Sequence, residues 1–185
     1  MAKIPRGTVN IILDVIELIL ISTTVFIVVY FFIGQLLEVS GDSMTPAFYD
    51  KERLIAEKVS VKFKEPERGD IVIFVNPNYP EVNQRLIIKR VVGLPDEVIR
   101  ISEGKVYVDD QPLDETYLTD GTVTAGRDAI AEEVSYKIDK DAYVLLGDNR
   151  EHSKDSREWG AIKVDRIIGR ALFVYYPLGK ARFVK

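Results

Sequence analysis

Between Leu18 and Leu37 the chain runs for twenty residues without a formal charge, and Val, Ile, Leu, Phe and Tyr dominate the run. At 1.5 Å per residue, a helix of that length covers about 30 Å, the thickness of a bilayer's hydrocarbon core. Ser22, Thr23, Thr24 and Gln35 are its polar exceptions. The three hydroxyls can hydrogen-bond within their own helix. The apolar residues go all the way round a helical projection, with no polar stripe to mark a helix lying on a soluble core. A removable leader has an apolar region of about 7–15 residues and a small-x-small cleavage site. Here the run is longer and ends at Gln35-Leu36-Leu37-Glu38, a poor site of that kind. The segment predicts an uncleaved transmembrane helix over residues 18–37. Asp14 and Glu17 fall at its upstream edge, within reach of the headgroups, and Lys3 and Arg6 lie on the same side. By the positive-inside rule, residues 1–17 form a cytoplasmic tail of a single-pass cell-membrane protein. Residues 38–185 would then be an extracytoplasmic domain.

Composition narrows the function classes. The net charge is −4, and setting aside Lys3, Arg6, Asp14 and Glu17 leaves 23 basic against 27 acidic residues. No basic excess remains to form a nucleic-acid-binding face. Cysteine is absent and histidine occurs once, so a disulfide scaffold, a thiol nucleophile and a cysteine-based zinc site lack their parts.

Beyond residue 38 the pattern changes to short β-branched runs broken by Gly, Pro and Asp. Strands are expected at Arg53–Val59, Asp70–Val75, Leu86–Val92, Glu97–Ile101, Lys105–Val108, Ala142–Leu146 and Ile167–Tyr175. Ser102-Glu103-Gly104 reads as a hairpin turn, and Asn76-Pro77-Asn78-Tyr79-Pro80 as a loop whose prolines exclude a central strand. No amphipathic helix of useful length follows the apolar run, so the fold class is mostly β: an N-terminal transmembrane helix and an all-β domain. Residues 109–140 are acidic and turn-rich and take no assignment.

Two residues stand out chemically. Ser43 lies in Gly41-Asp42-Ser43-Met44-Thr45-Pro46, where the backbone must turn. A serine in such a bend can present both its hydroxyl and its own N–H, as a nucleophile with an oxyanion donor requires; most serines in such turns are turn formers only. Lys89 sits among Leu86, Ile87, Ile88, Val91 and Val92, an expensive place for an ammonium. If buried, it would lose proton affinity and become a usable base. If strand alternation turns it outward beside Arg90, it is an ordinary edge charge. A third cluster, Gly147–Arg157, follows an apolar strand and packs turn formers, hydroxyls and alternating charges. It is either a solvated loop or a loop pinned by an Asp155–Arg157 pair so that Ser153 reaches an active site.

Taken together, these segments resemble the type I signal peptidases, membrane-bound serine proteases that release exported proteins. Gly41–Pro46 looks like the family's nucleophile box, Arg68-Gly69-Asp70-Ile71-Val72-Ile73-Phe74 like its next box and Ile88–Pro95 like its lysine box. Gly147–Arg157 is similar to the last box. Four segments in the family's order, with the apolar run, span residues 18–157. The resemblance implies Ser43 as nucleophile, Lys89 as neutral general base, Ser153 as the hydroxyl that orients the lysine, and Asp155 with Arg157 as a structural pair. It implies signal peptides and the lipid bilayer as partners, and neither metal nor cofactor. Val39, Met44, Phe48 and Ile88 become candidates for walls of the pockets that take small side chains at positions −1 and −3.

Some departures from the family pattern carry expectations of their own. Gly41 stands where some members place a second oxyanion-hole hydroxyl. Ala47-Phe48 replaces a common Thr-Leu, and Asp96-Glu97 replaces the usual Gly-Asp, with Asp96 expected to preserve the turn because Asp tolerates a left-handed backbone. With no second transmembrane helix and no large insertion, the chain looks like the compact single-anchor form common in Gram-positive bacteria. His152 occupies a variable spacer and is a poor candidate for a Ser-His triad. Ser102-Glu103-Gly104-Lys105 matches a β-lactamase motif but lies in the expected hairpin. Rival readings are a self-cleaving repressor domain, which should carry a DNA-binding module in place of the anchor, and a catalytically silent membrane-anchored β-domain that binds a partner.

Overall fold

The protein is described by a computed structural model covering residues 6–28, 34–77 and 86–184. The first helix, α1, runs Arg6–Val28, earlier than the hydropathy pattern predicts. Its most apolar window, Asn10–Ile27, has a mean hydropathy of 2.0 and is nowhere buried in the protein. Asp14 and Glu17 therefore lie inside the helix rather than at its edge. Charge count sets the expected apolar boundary, whereas backbone hydrogen bonding carries a helix through isolated charged residues such as Asp14 and Glu17. The far boundary also moves. Gly34–Glu38 is a strand, β1, so residues 34–37 belong to a sheet and not to the helix. Residues 29–33, Lys3 and the Asn78–Pro80 part of the expected loop lie outside the described residues.

The remaining elements are β2 (Arg53–Glu57), α2 (Ser60–Phe63), β3 (Ile71–Val75), β4 (Leu86–Gly93), β5 (Val98–Ser102), β6 (Lys105–Val108), β7 (Gln111–Pro112), β8 (Tyr136–Lys137), β9 (Ala142–Leu146), α3 (Ser156–Trp159), β10 (Ile162–Lys163), β11 (Ile167–Tyr176) and β12 (Arg182–Phe183). Each of the seven expected strands is present, with ends shifted by no more than two residues. Two antiparallel sheets form. The larger runs β1-β2-β11-β3-β4-β9-β10 with β12 on β11, and the smaller runs β7-β6-β5-β8. The β5–β6 hairpin closes through Ser102 opposite Lys105, with Glu103 and Gly104 both at positive φ, the backbone that a tight hairpin turn requires. Asp96 has φ of 64°, so the expected left-handed turn is there.

The middle of the larger sheet is apolar on both faces. Ile71 and Ile73 of β3 pack with Val39, Met44, Phe48, Leu54 and Val174, while Val72 and Phe74 pack with Val91, Tyr143, Leu145 and Ile167. Successive strand residues point to opposite faces, so a strand buried on both sides reads as an unbroken apolar run. A third cluster joins Ile99, Ile101 and Val106 of the smaller sheet to Val92, Val144 and Leu146 of the larger. Lys89 and Arg90 enter this dense region from β4, opposite Val72 and Ile71 respectively.

Candidate active site

The nucleophile candidate sits on a turn that the fold ties at several points. Gly41 takes φ of 87°, a backbone open to glycine at little cost, and its N–H bonds to Asp50 Oδ1 at 2.8 Å. Thr45 N–H donates to Asp42 O at 3.0 Å and Phe48 N–H to Met44 O at 2.9 Å. From the far side of the chain, Asn149 donates its backbone N–H to Ser43 O at 3.1 Å and its side-chain amide to Asp42 O at 3.2 Å. The last motif thus grips the first through backbone atoms, a role for Asn149 that no residue-type pattern reveals. Gly147 adds a steric condition, since a Cβ there would collide with Ser153 and with the Ser43 carbonyl.

Among the described residues Lys89 is the one buried lysine, at 2% exposure. Its Nζ donates to Ser43 Oγ at 2.6 Å and to the carbonyl of Ile88 at 3.0 Å. Both acceptors are neutral. Burial brings the amine from 10.5 down to about 8, against the pull of Asp155 and Asp148, with Arg157 helping to lower it. Roughly a tenth of such amines are unprotonated at pH 7, against about 0.04% of ordinary lysines. Of the two sequence readings of Lys89, the inward one describes the fold.

The loop after β9 supplies a different kind of site. Arg157 donates Nε and Nη2 to the two oxygens of Asp155 at 2.8 and 2.9 Å, and both residues are buried. Burial alone pushes the Asp155 carboxyl up, but the Arg157 guanidinium and the Gly147 N–H hold it below the usual carboxylate range. Asp155 also caps α3 by accepting the Arg157 N–H. The expected Asp155–Arg157 pair is therefore present. Two further pairs were not anticipated: Arg90 with Asp148, bidentate at 2.8 and 2.7 Å, and Arg150 with Glu115. Arg150 Nη1 also donates to Thr124 Oγ1 at 2.5 Å, and Arg90 stacks on the Tyr117 ring at 4.1 Å. Glu115, Tyr117 and Thr124 come from the stretch that the sequence left unassigned.

Ser153 is buried beside Gly147, but no hydrogen bond joins it to Lys89. Its Oγ lies close enough to Asp155 to favour the ionised carboxyl, but makes no hydrogen bond of good geometry. His152 is exposed and does not replace Lys89 against Ser43.

A cleft of about 610 Å³ opens at the dyad. Val39, Met44 and Ile88 line it, together with Leu86, Ile87 and Trp159. Phe48 does not. At 1% exposure it is packed in the core behind Met44, where a large ring is held by Leu54, Ile73 and Val174. Trp159, missed by the sequence reading, stands edge-on to Phe74 with centroids 6.4 Å apart. Walls of this kind select by size, because a side chain too large for them must displace packed neighbours.

A family model described as signal peptidase, peptidase S26, matches residues 12–176. A probable signal peptidase I-2 of Synechocystis is 35% identical over 80% of this chain and 65% of its own length. Signal peptidase I T of Bacillus subtilis is 30% identical over 99% of this chain and 95% of its own. The crystal structure of a signal peptidase I from Enterococcus faecalis aligns with a TM-score of 0.46 at 27% identity, covering 58% of this chain and 97% of that one.

Proposed function

The chain belongs to the peptidase S26 family of signal peptidases, and from that premise we propose that it is a membrane-anchored endopeptidase that cuts signal peptides from exported preproteins with a Ser43–Lys89 dyad. The observation that carries this reading is the 2.6 Å hydrogen bond between Lys89 Nζ and Ser43 Oγ, made by a buried amine with no carboxylate in contact. In its neutral form that amine accepts the Ser43 proton as Oγ attacks the scissile carbonyl. The ammonium then gives the proton to the departing amine of the mature chain, leaving an acyl ester on Ser43. Water attacks that ester after losing a proton to the same Nζ, and Ser43 leaves as the alcohol. In this reading the Ser43 N–H supplies an oxyanion donor, and Gly41 offers no second hydroxyl.

Residues 6–28 serve in this reading as the anchor of a single-pass cell-membrane protein. Their amino end is cytoplasmic, and the β-rich domain from Gly34 onward lies outside. Tethering the cleft at the bilayer, where the substrate's own apolar segment is held, raises effective concentration without added affinity. Val39, Met44 and Ile88 then bound the pockets for small residues at −1 and −3, and Ser153 acts on the lysine through the Asp155 side of the site. The test is cleavage of a preprotein bearing alanines at −1 and −3, by the full chain in detergent or lipid, beside Ser43→Ala and Lys89→Met. Cleavage after −1 that disappears in both variants is the expected result. Cleavage that survives Lys89→Met would end the lysine-base mechanism.

A further inference from the structure

Arg127 comes from the segment that carries no recognisable motif, yet it reaches the edge of the cleft. Its Nη1 donates to the carbonyl of Ser153 at 2.7 Å and to the carboxylate of Glu158, and its Nη2 donates to the carbonyl of Glu151 at 3.1 Å. Glu158 and Lys154 line the same cleft as Ser43 and Lys89. The backbone around Arg127 is itself fixed to this loop. Arg127 N–H bonds to Ile130 O, and the N–H groups of Ala129 and Ile130 both bond to Arg157 O. Arg157 Nη1 returns the contact through Ala125 O at 3.2 Å.

The other tie on the Ser153 carbonyl is weaker. Arg157 Nη2 reaches it at 3.4 Å, while that guanidinium is chiefly committed to Asp155 and to the Arg150 carbonyl. Arg127 therefore makes the shorter side-chain tie to the Ser153 carbonyl and adds one to the Glu151 carbonyl, beside the His152 N–H bonds to Asn149 at 3.1 and 3.3 Å. A planar guanidinium with several donors in fixed directions suits three acceptors on one loop; an ammonium does not. The buried Ser153 side chain makes no hydrogen bond of good geometry, only a weak tie toward Asp155, so its backbone carbonyl is the firmer handle on its position.

We propose that Arg127 is a positioning residue of the active site, which fixes the Glu151–Glu158 loop so that Ser153 stays against Gly147 and Glu158 stays in the cleft wall. It touches neither substrate nor the reacting atoms and acts through Ser153. This inference rests on the Ser43–Lys89 reading, and its test separates the two. Rates of preprotein cleavage are measured for the full-length wild type, Ser43→Ala, Arg127→Ala, Arg127→Lys, Ser153→Ala and the Arg127→Ala/Ser153→Ala double variant. All assays run well below the lowest melting temperature of the set. Arg127→Ala is expected to lower kcat by about 10- to 100-fold with little change in KM, the scale of a misplacement of about 1 Å near the chemistry. If Arg127→Ala does not fold, Arg127→Lys carries the test, since it keeps the charge but loses the fork, and an intermediate kcat is expected. The double variant is expected to lose little more than the worse single one, because the two residues act as a unit. Wild-type kcat in Arg127→Ala, full recovery in Arg127→Lys, or multiplied losses in the double variant would each overturn the proposal while leaving the dyad intact. A wild type that cleaves no preprotein would instead overturn the reading beneath it.

Discussion

Lys89 and Arg90 are consecutive residues of one strand, both buried and both basic, yet they have opposite fates. Arg90 meets a carboxylate, Asp148, in a bidentate pair, and its neighbours Arg150 and Arg157 are matched in the same way by Glu115 and Asp155. Lys89 meets a hydroxyl and a peptide carbonyl. Taking a charge out of water is costly unless a partner compensates it. Where the partner is supplied, the cation persists and becomes scaffold. Where it is withheld, the group holds its proton less tightly, as a general base requires. The two sites are one residue apart because alternation in a strand sends neighbours to different surroundings.

The largest expected effect breaks the catalytic half of this contrast. Ser43→Ala or Lys89→Met should lower turnover of a preprotein by at least about 10⁴-fold in a single-turnover assay, because the residues of such a unit fail together. Stability should divide the other way. Asp148→Asn or Arg157→Ala leaves an uncompensated buried charge or an orphaned partner, at a cost of about 3–5 kcal/mol in a denaturant titration of the full chain in detergent. Lys89→Met removes a poorly paired buried amine, and the same titration should show no loss of stability. Equal losses for the two kinds of variant would erase the distinction.

A smaller effect concerns pH. With the Lys89 amine at about 8, kcat/KM should rise with pH through that value, because below it the amine is protonated and cannot accept from Ser43. Asp155 raises the lysine and Arg157 lowers it, so Asp155→Asn should move this limb to lower pH and Arg157→Ala to higher pH. A limb that stays in place in both variants would separate Lys89 from its arginine neighbours. The smallest effect is none: His152→Ala should match wild type in kcat and KM, since the residue is exposed at the loop's outer side.

Legibility of the site followed how local each signal was. Ser43, Lys89 and the Asp155–Arg157 pair were all named from short segments, and Asp96 was assigned its left-handed backbone from its place where the family usually has Gly and from the tolerance of Asp for that backbone. Phe48 was a pocket candidate through the family resemblance, but a motif position does not say which way a side chain points, and Phe48 is packed in the core. Glu115, Thr124 and Arg127 passed unnoticed because each is an ordinary polar residue in an irregular stretch, meaningful only against Arg150 or Ser153 some 25 to 35 residues away. The apolar run was read correctly as a helix long enough to span a bilayer, but its ends were misplaced where hydropathy and backbone preference disagree.

By itself, the sequence determined what is local or periodic: an apolar stretch of bilayer length, seven strands with their hairpin turn, and four motifs whose order marks the family. Only the tertiary structure decided which buried basic residue is matched by a carboxylate and which is left with neutral partners. That depends on partners brought together from distant parts of the chain, and an electrostatic environment is a property of the packed fold rather than of any segment within it.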